Sequence, residues 1–466
     1  MASSPLREFI SLLESSGELS RIAVFVDPVL EIAAITDRVC KRPDGGAALL
    51  FEHPAGSLFQ VATNLFGSQK RVCQALRVTN LNDLTDRLRV LIDRIPEFDV
   101  TSPGSQIADL AEFARFAPQV ETGHDPALIQ MNPPDLTRFP FLHSWPDDGE
   151  ATGHGRYITL PQVFTAAPTG GAQNCGIYRV QLRGEREAAI QWKAGSGAAR
   201  HAEMYRRIGE AMPVAIVLGG DPATLFSAMF PLPGDLDELT FSGFLLGSPH
   251  VVTPCRTVPL LVPTGVEVII EGYVEPGDTV TEGPFGNHTG FYSPAASAAL
   301  LRITSISCRP DAVIPATVVG PPPMEDCWMA KAWERLLVGF LQKLAPAIKD
   351  IHFPFEWIFH QSAIISLENP QPGMVRNISR QLWALTWFKS ARALLFVAAD
   401  AEITELSRAA WKSINVTDFA DDIIYDIASG RVAIDATGCR SPRSEVKISP
   451  ESAALVTRRW KEYMLP

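Results

Sequence analysis

Apolar positions near the start of the chain recur at helical spacing. Leu6, Phe9, Ile10 and Leu13 form one stripe, opened by Ser4 and Pro5 as cap and first-turn residues and closed by Gly17. A short strand is predicted over 22–26, a helix through Ile32, Ile35 and Val39, and a strand over 48–51, with a turn at 41–46. Helical spacing returns at 69–76 and 81–95. Between 97 and 175, Pro, Gly and Asp become frequent, which predicts a linker and long loops entering a new domain. From 157 to 305 the pattern changes to short apolar runs between Gly and Pro turns. Strands are predicted at 176–182, 188–192, 214–218, 266–270 and 300–306, with helices at 199–211 and 222–229. Beyond 310 the alternation is again α/β, with helices at 329–344, 375–389, 403–414 and 451–464 and a strand at 393–399. No internal repeat or low-complexity segment interrupts it.

These shifts predict an α/β (α+β) multidomain chain divided into 1–125, 126–310 and 311–466. With 466 residues and 46 % hydrophobic content, there is material for two or three cores. A net charge of −11 excludes a nucleic-acid binder, which needs a basic face, and no basic run suits an anionic membrane. The longest apolar stretches, such as 393–399, are strand-sized and far from the roughly 20 residues of a membrane span. The N-terminus carries an acid in its first turn and lacks a signal-like apolar core, so a cytoplasmic location is expected. Seven scattered cysteines without a C-x-x-C pair argue for reduced thiols and against a thiolate zinc site.

Three segments concentrate chemistry. In Asn174-Cys-Gly-Ile-Tyr-Arg179, an Arg at a predicted strand could clamp a carboxylate bidentately; the bland alternative is an ordinary surface pair. In Glu282-Gly-Pro-Phe-Gly-Asn-His-Thr-Gly290, an acid, an Asn, a His and a Thr crowd one turn, which is either a site loop or a plain hairpin with an exposed Glu. The segment from Met229 through Phe230 and Pro231 to Glu238 carries acids that suit a hard cation or the N-terminus of a helix.

In order and spacing these segments resemble the UbiD-type decarboxylase family. The resemblance runs over nearly the whole chain, from Leu6-Arg-Glu-Phe-Ile-Ser-Leu-Leu-Glu14 and Asp27-Pro-Val-Leu-Glu-Ile32 through Asn64-Leu-Phe-Gly67, Gly219-Gly-Asp-Pro-Ala-Thr224 and Glu271-Gly-Tyr-Val-Glu275. It implies a central split β-barrel flavin-binding domain flanked by N-terminal and C-terminal α/β domains, the last driving homodimer or higher assembly. It implies prenylated FMN made by a separate flavin prenyltransferase, with a divalent metal (Mn2+ or Mg2+) and K+ at its phosphate. The activity implied is decarboxylation of an aromatic or α,β-unsaturated acid, with a hydroxyaryl acid of quinone biosynthesis as first substrate. By position Arg179 and Glu282 match the catalytic Arg and first acid, and Asn174 and Glu238 match metal ligands. Thr165, Ile177, Tyr178, Trp192, Met229, Phe230, Pro231 and Arg431 fall among the flavin-side positions.

Two departures stand out. Asn287 occupies the place of the second acid, and an amide cannot serve as a general acid, which leaves His288 or Glu282 to return the proton. Gly195 occupies the place of the metal-binding His; His201, on the predicted helix just downstream, could reach the ion, and the bland alternative is a surface helix residue. The competing expectations are a degenerate paralogue without turnover, acting as a flavin-binding or assembly protein, and an ordinary split-barrel flavin oxidoreductase.

Overall fold

The computed structural model describes residues 4–100, 103–230, 232, 236–443, 445–446 and 448–463. The first helix, Pro5–Ser15, begins as its sequence predicts: the Ser4 hydroxyl accepts from the Arg7 amide, and Leu6, Phe9, Ile10 and Leu13 are buried. A four-stranded sheet follows, in the order Leu19–Val26, Ala48–Pro54, Gln60–Thr63 and Val313–Pro315. Its last strand comes from far along the chain, so the polypeptide re-enters the N-terminal unit after completing the middle one. The long helix Glu325–Leu344 then packs on the helix Asn82–Ile92. A separate five-stranded sheet follows, in the order Ile348–His352, Ser362–Leu367, Ala393–Ala398, Arg431–Ala436 and Ile423–Asp426.

The middle unit is a nine-stranded antiparallel sheet. Its path runs Tyr157–Ile158, Val180–Leu182, Glu187–Ile190, Ala296–Cys308, Val268–Glu282, Met212–Leu218, Gln162–Thr165 and Asn174–Gly176, with Ile129–Met131 added to Ala296–Cys308. The strands Asn174–Gly176 and Val180–Leu182 lie six positions apart on this path, about 29 Å if the sheet were flat. Only residues 177–179 join them, a reach of about 14 Å. The sheet therefore curls until its edges approach, and residues 177–179 bridge the seam. The sequence pattern read 176–182 as one strand. The split arises because the two halves pair with opposite ends of the sheet.

The helix Glu238–Leu246 begins at the acids read as a possible helix N-terminus, but its body carried no signal, since Leu239 through Leu245 are all buried and an all-round apolar helix shows no stripe. Among the described residues, no helix is long and apolar enough to cross a membrane. Six of the seven free cysteines are buried, as small core residues.

Candidate active site at the seam of the curled sheet

Arg179 sits in the bridge across the seam, and Glu282 is the last residue of the longest strand of the sheet. Arg179 Nε and Nη2 donate to Glu282 Oε1 and Oε2, each at 2.8 Å, forming a bidentate pair. The Glu282 side chain is fully buried and that of Arg179 is 18 % exposed. The guanidinium lies 4.8 Å from the centroid of Phe285, which limits its freedom further. Arg179 Nη1 has no hydrogen-bond partner among the described residues, so the pair retains open donors.

The turn after Glu282 is held from outside. Asp148 accepts from the amides of Trp145 (3.0 Å) and Gly286 (2.7 Å), and Trp145 Nε1 donates to the Val319 carbonyl at 2.8 Å. A side chain at Gly286 would place Cβ 2.3 Å from the Trp145 ring, so only glycine fits. The Tyr157 ring stands 4.7 Å from that of Phe285, and its hydroxyl donates to the Pro284 carbonyl at 3.3 Å. Burial, with the Glu282 charge, pushes the Tyr157 hydroxyl up, so it stays protonated. Tyr157 escaped the sequence reading because nothing local distinguishes it from a core aromatic. Phe285 lay within the motif but carries no polar signal.

Asn287 is committed to its own turn. Its Oδ1 accepts from the Thr289 amide (2.8 Å) and hydroxyl (2.5 Å), and its Nδ2 donates to Ser293 Oγ at 2.6 Å. His288 leaves the turn and meets His360 of the C-terminal unit, Nε2 to Nε2, at 3.4 Å. His360 also escaped the sequence reading.

On the other side of the seam lies a second group. Asn174 pairs across the ladder with Thr165, and Thr165 Oγ1 lies 3.0 Å from His201 Nδ1. Burial, with the Arg200 charge, lowers the affinity of His201 for a proton, so its imidazole is available as a neutral donor ligand. The Glu238 carboxylate accepts from the Cys175 amide at 3.1 Å, and burial pushes it up to about 8. Asn174 Nδ2 and Trp192 Nε1 are buried without partners, and a Cβ on Gly197 would lie 1.8 Å from Asn174 Oδ1. A half-buried carboxyl with no salt-bridge partner among the described residues, an amide oxygen on the facing strand and two orphaned donors form a donor set that fits a hard cation and a polar cofactor. Among the described residues, no group of three or more His, Cys, Asp or Glu side chains is placed to hold a metal, so such an ion would depend on Asn174 as well. Gly195 has φ +79° and open space around it, with no ligand to offer.

The remaining expected residues disperse. Tyr178 is buried, with its ring edge-on to Trp192 at 5.3 Å, beside the second group. Ile177 and Met229 pack against the large core shared by the N-terminal and C-terminal units. The Phe230 ring is spent in that core against Trp333 (5.3 Å) and Phe226 (6.0 Å). Pro231 lies outside the described residues. Arg431 donates to the carbonyls of Lys389 (2.7 Å) and Trp383 (3.5 Å), within the C-terminal unit. A cleft of about 120 Å3 in that unit is lined by Asp418, Asp421, Asp422 and Arg440, remote in composition from the seam.

Comparison with known proteins matches this chain to three models of 3-octaprenyl-4-hydroxybenzoate carboxy-lyase: the N-terminal domain over residues 10–90, the Rift-related domain over 119–322 and the C-terminal domain over 327–437. A protein of Archaeoglobus fulgidus is 36 % identical over 425 residues, 91 % of this chain and 86 % of its own. One of Aquifex aeolicus is 34 % identical over 460 residues, 98 % and 92 % of the two. Both are uncharacterized. Among solved structures, an evolved dimeric form of the UbiD-class enzyme HmfF from Pelotomaculum thermopropionicum, in complex with prFMN, superposes with a TM-score of 0.83 at 24 % identity, covering 97 % of this chain and 98 % of that one. The closed form of vanillic acid decarboxylase from Sedimentibacter hydroxybenzoicus gives 0.81 at 22 %, covering 100 % of both. At such identities the superpositions establish the shared mixed α/β multidomain fold. With the family models spanning most of its length, and relatives above 30 % identity along nearly all of it, the chain belongs to the UbiD carboxy-lyase family.

Proposed function

We propose that this protein decarboxylates an aromatic or α,β-unsaturated carboxylic acid without net oxidation, using prenylated FMN held along the seam of the curled sheet. The single observation that carries this is the bidentate Arg179–Glu282 pair in the seam, with guanidinium donors left open. In this reading the middle unit acts as a split-barrel flavin domain. Asn174 and Glu238, helped by His201, would hold Mn2+ or Mg2+, and that ion, with K+, would neutralise the flavin phosphate. Thr165, Tyr178 and Trp192 stand on the same side. The bound flavin supplies the electron sink that an unsaturated carbon lacks.

The chain's own residues do the rest. Arg179 Nη1 and the remaining Nη2 proton bind the substrate carboxylate, while Glu282 fixes the plane of the guanidinium. Tyr157 and Phe285 keep water from the pair. After CO2 leaves, the carbon needs a proton, and Asn287 has none to give because its amide is tied to Thr289 and Ser293. His288 is the donor. A flavin prenyltransferase supplies the cofactor, the chain works as a homodimer or higher homo-oligomer in the cytoplasm, and a hydroxyaryl acid of quinone biosynthesis is the first substrate to try.

A second reading, a flavin-binding paralogue without turnover, draws on the absent ligand at 195 and on the amide at 287. One experiment separates the two. The chain is co-expressed with a flavin prenyltransferase, its absorbance and native mass are recorded, and CO2 release is screened over aryl and acrylic acids. Modified flavin with CO2 release is expected. Flavin without turnover, restored by Asn287→Glu, points to the paralogue, and absence of both flavin and turnover removes the proposal.

A further inference from the structure

We infer that His360, from the loop between the strands Ile348–His352 and Ser362–Leu367, is the positioning residue that holds His288 as proton donor; this rests on the carboxy-lyase reading above. The two rings stand with centroids 4.7 Å apart and Nε2 atoms 3.4 Å apart. Phe359 packs on both, 5.8 Å from His288 and 5.3 Å from His360. His360 Nδ1 is buried without a partner, so the contact with His288 is the one hydrogen bond orienting its ring among the described residues. Removing that contact releases His288.

Three segments converge here. The 282–290 turn brings His288, the loop after Glu187–Ile190 brings Lys193, and the 353–361 loop brings His360. The first also carries Glu282. The second also carries Trp192, which stands against Tyr178, the residue before Arg179 in the chain, at 5.3 Å. Charged or titratable groups facing His288 are therefore Lys193 and His360. His288 Nδ1 takes no hydrogen bond from any described residue, and it is the nitrogen left for substrate.

A neutral imidazole does not usefully surrender its last N–H, so the donor is the imidazolium. Burial and the Lys193 charge oppose protonation of both rings, and His360 is held lower, at about 3. His360 thus stays neutral and accepts. His288 takes a proton from solvent, donates its Nε2–H to His360 Nε2 and presents Nδ1–H. As the carboxyl C–C bond breaks and CO2 leaves, the electron pair remains on carbon. The Nδ1–H bond then breaks and a C–H bond forms, leaving His288 neutral and still bonded to His360. An unheld imidazole could rotate and offer either nitrogen. His360 decides which.

The test uses the full chain with 15N-labelled histidine, as wild type, His360→Phe, His360→Gln and His288→Phe, before and after loading with prenylated flavin. At low pH a hydrogen-bonded imidazole N–H resonance is expected in wild type and in His360→Gln, whose amide oxygen can accept, and lost in both Phe variants. Loaded His360→Phe should lose about 10–100-fold in kcat, part of the roughly 10²–10⁴ a positioned acid contributes, with KM changed less than about 3-fold. His360→Gln should recover most of it. Wild-type kcat should fall as rising pH deprotonates His288, and this limb should move in His360→Phe. A resonance unchanged in His360→Phe, or wild-type kcat and pH limb in that variant, overturns the inference. Turnover unaffected by His288→Phe overturns it too, yet leaves the carboxy-lyase reading standing. A wild type that takes up no flavin, seen by absorbance, overturns that reading as well, whatever the NMR finds.

Discussion

Two buried glutamates flank one strand and have opposite surroundings. Glu267 precedes the strand Val268–Glu282, and Glu282 ends it; both side chains are fully buried and both face an Arg. Glu267 is saturated: it accepts from Ser4 Oγ (2.5 Å), Arg7 Nε (3.2 Å), Arg7 Nη2 (3.0 Å) and the Val313 amide (3.0 Å), while Arg7 is also held by Asp311 at 2.8 Å. That network ties the first helix and the returning strand Val313–Pro315 to the middle sheet. Among the described residues Glu282 accepts from Arg179, with the Tyr157 hydroxyl close enough to feel its charge, and Arg179 keeps donors unspent. A structural ion pair closes its valences inside the protein. A pair meant to meet a ligand leaves some open.

The sharpest way to break this comparison is to neutralise each acid in turn. Glu282→Gln should lower CO2 release about 10²-fold, the scale for misplacing a group that positions substrate, with a modest change in unfolding midpoint. Glu267→Gln should instead cost about 3 kcal/mol of stability, measured by urea denaturation, with turnover per folded molecule retained. If Glu282→Gln unfolds the chain while Glu267→Gln silences it, the assignment is reversed.

Next in size is Gly197→Ala. Its Cβ would sit 1.8 Å from Asn174 Oδ1, so Asn174 must turn away. Bound Mn2+, measured by electron paramagnetic resonance, should weaken about 10–100-fold, as when the support of a ligand is lost. Unchanged Mn2+ binding would remove Asn174 from the ion site.

A smaller effect belongs to Glu238, which burial raises from 4.5 to about 8. The folded ion-free chain then binds this proton more tightly than the unfolded one. The contribution is fully present below about 4.5 and is lost as pH rises toward 8. The melting temperature of metal-free protein should therefore decline across this window, and Mn2+ should restore a few degrees at pH 8 but little at pH 5. Equal stabilisation at both values would place the ion elsewhere.

The smallest change is expected for Arg431→Ala. Its guanidinium holds two carbonyls of the C-terminal unit, so the loss should be about 1 kcal/mol of stability with flavin retention unaltered. A tenfold drop in retained flavin would show that Arg431 reaches the phosphate in the loaded protein.

Much of this protein could be read from residue order alone, but unevenly. Amphipathic elements were legible because their signal is local: the stripe Leu6, Phe9, Ile10, Leu13 and its Ser4 cap specify a helix wherever it lies. Of the helix Glu238–Leu246 only the acidic start was legible, for the same reason, because its uniformly apolar body has no contrast between faces. Arg179 and Glu282 could be named as a candidate pair from their motifs. Their meeting depends on sheet edges that approach only because a three-residue bridge forces the sheet to curl. His288 stood within a recognisable motif, whereas His360, 72 positions away, had none. The sequence by itself determined which residues carry charge, protons and ligand atoms, since those properties belong to single side chains and short spacings. Only the tertiary structure decided which of them face each other, which are spent on the scaffold, and which keep a valence open, because those outcomes depend on burial and on contacts between distant segments.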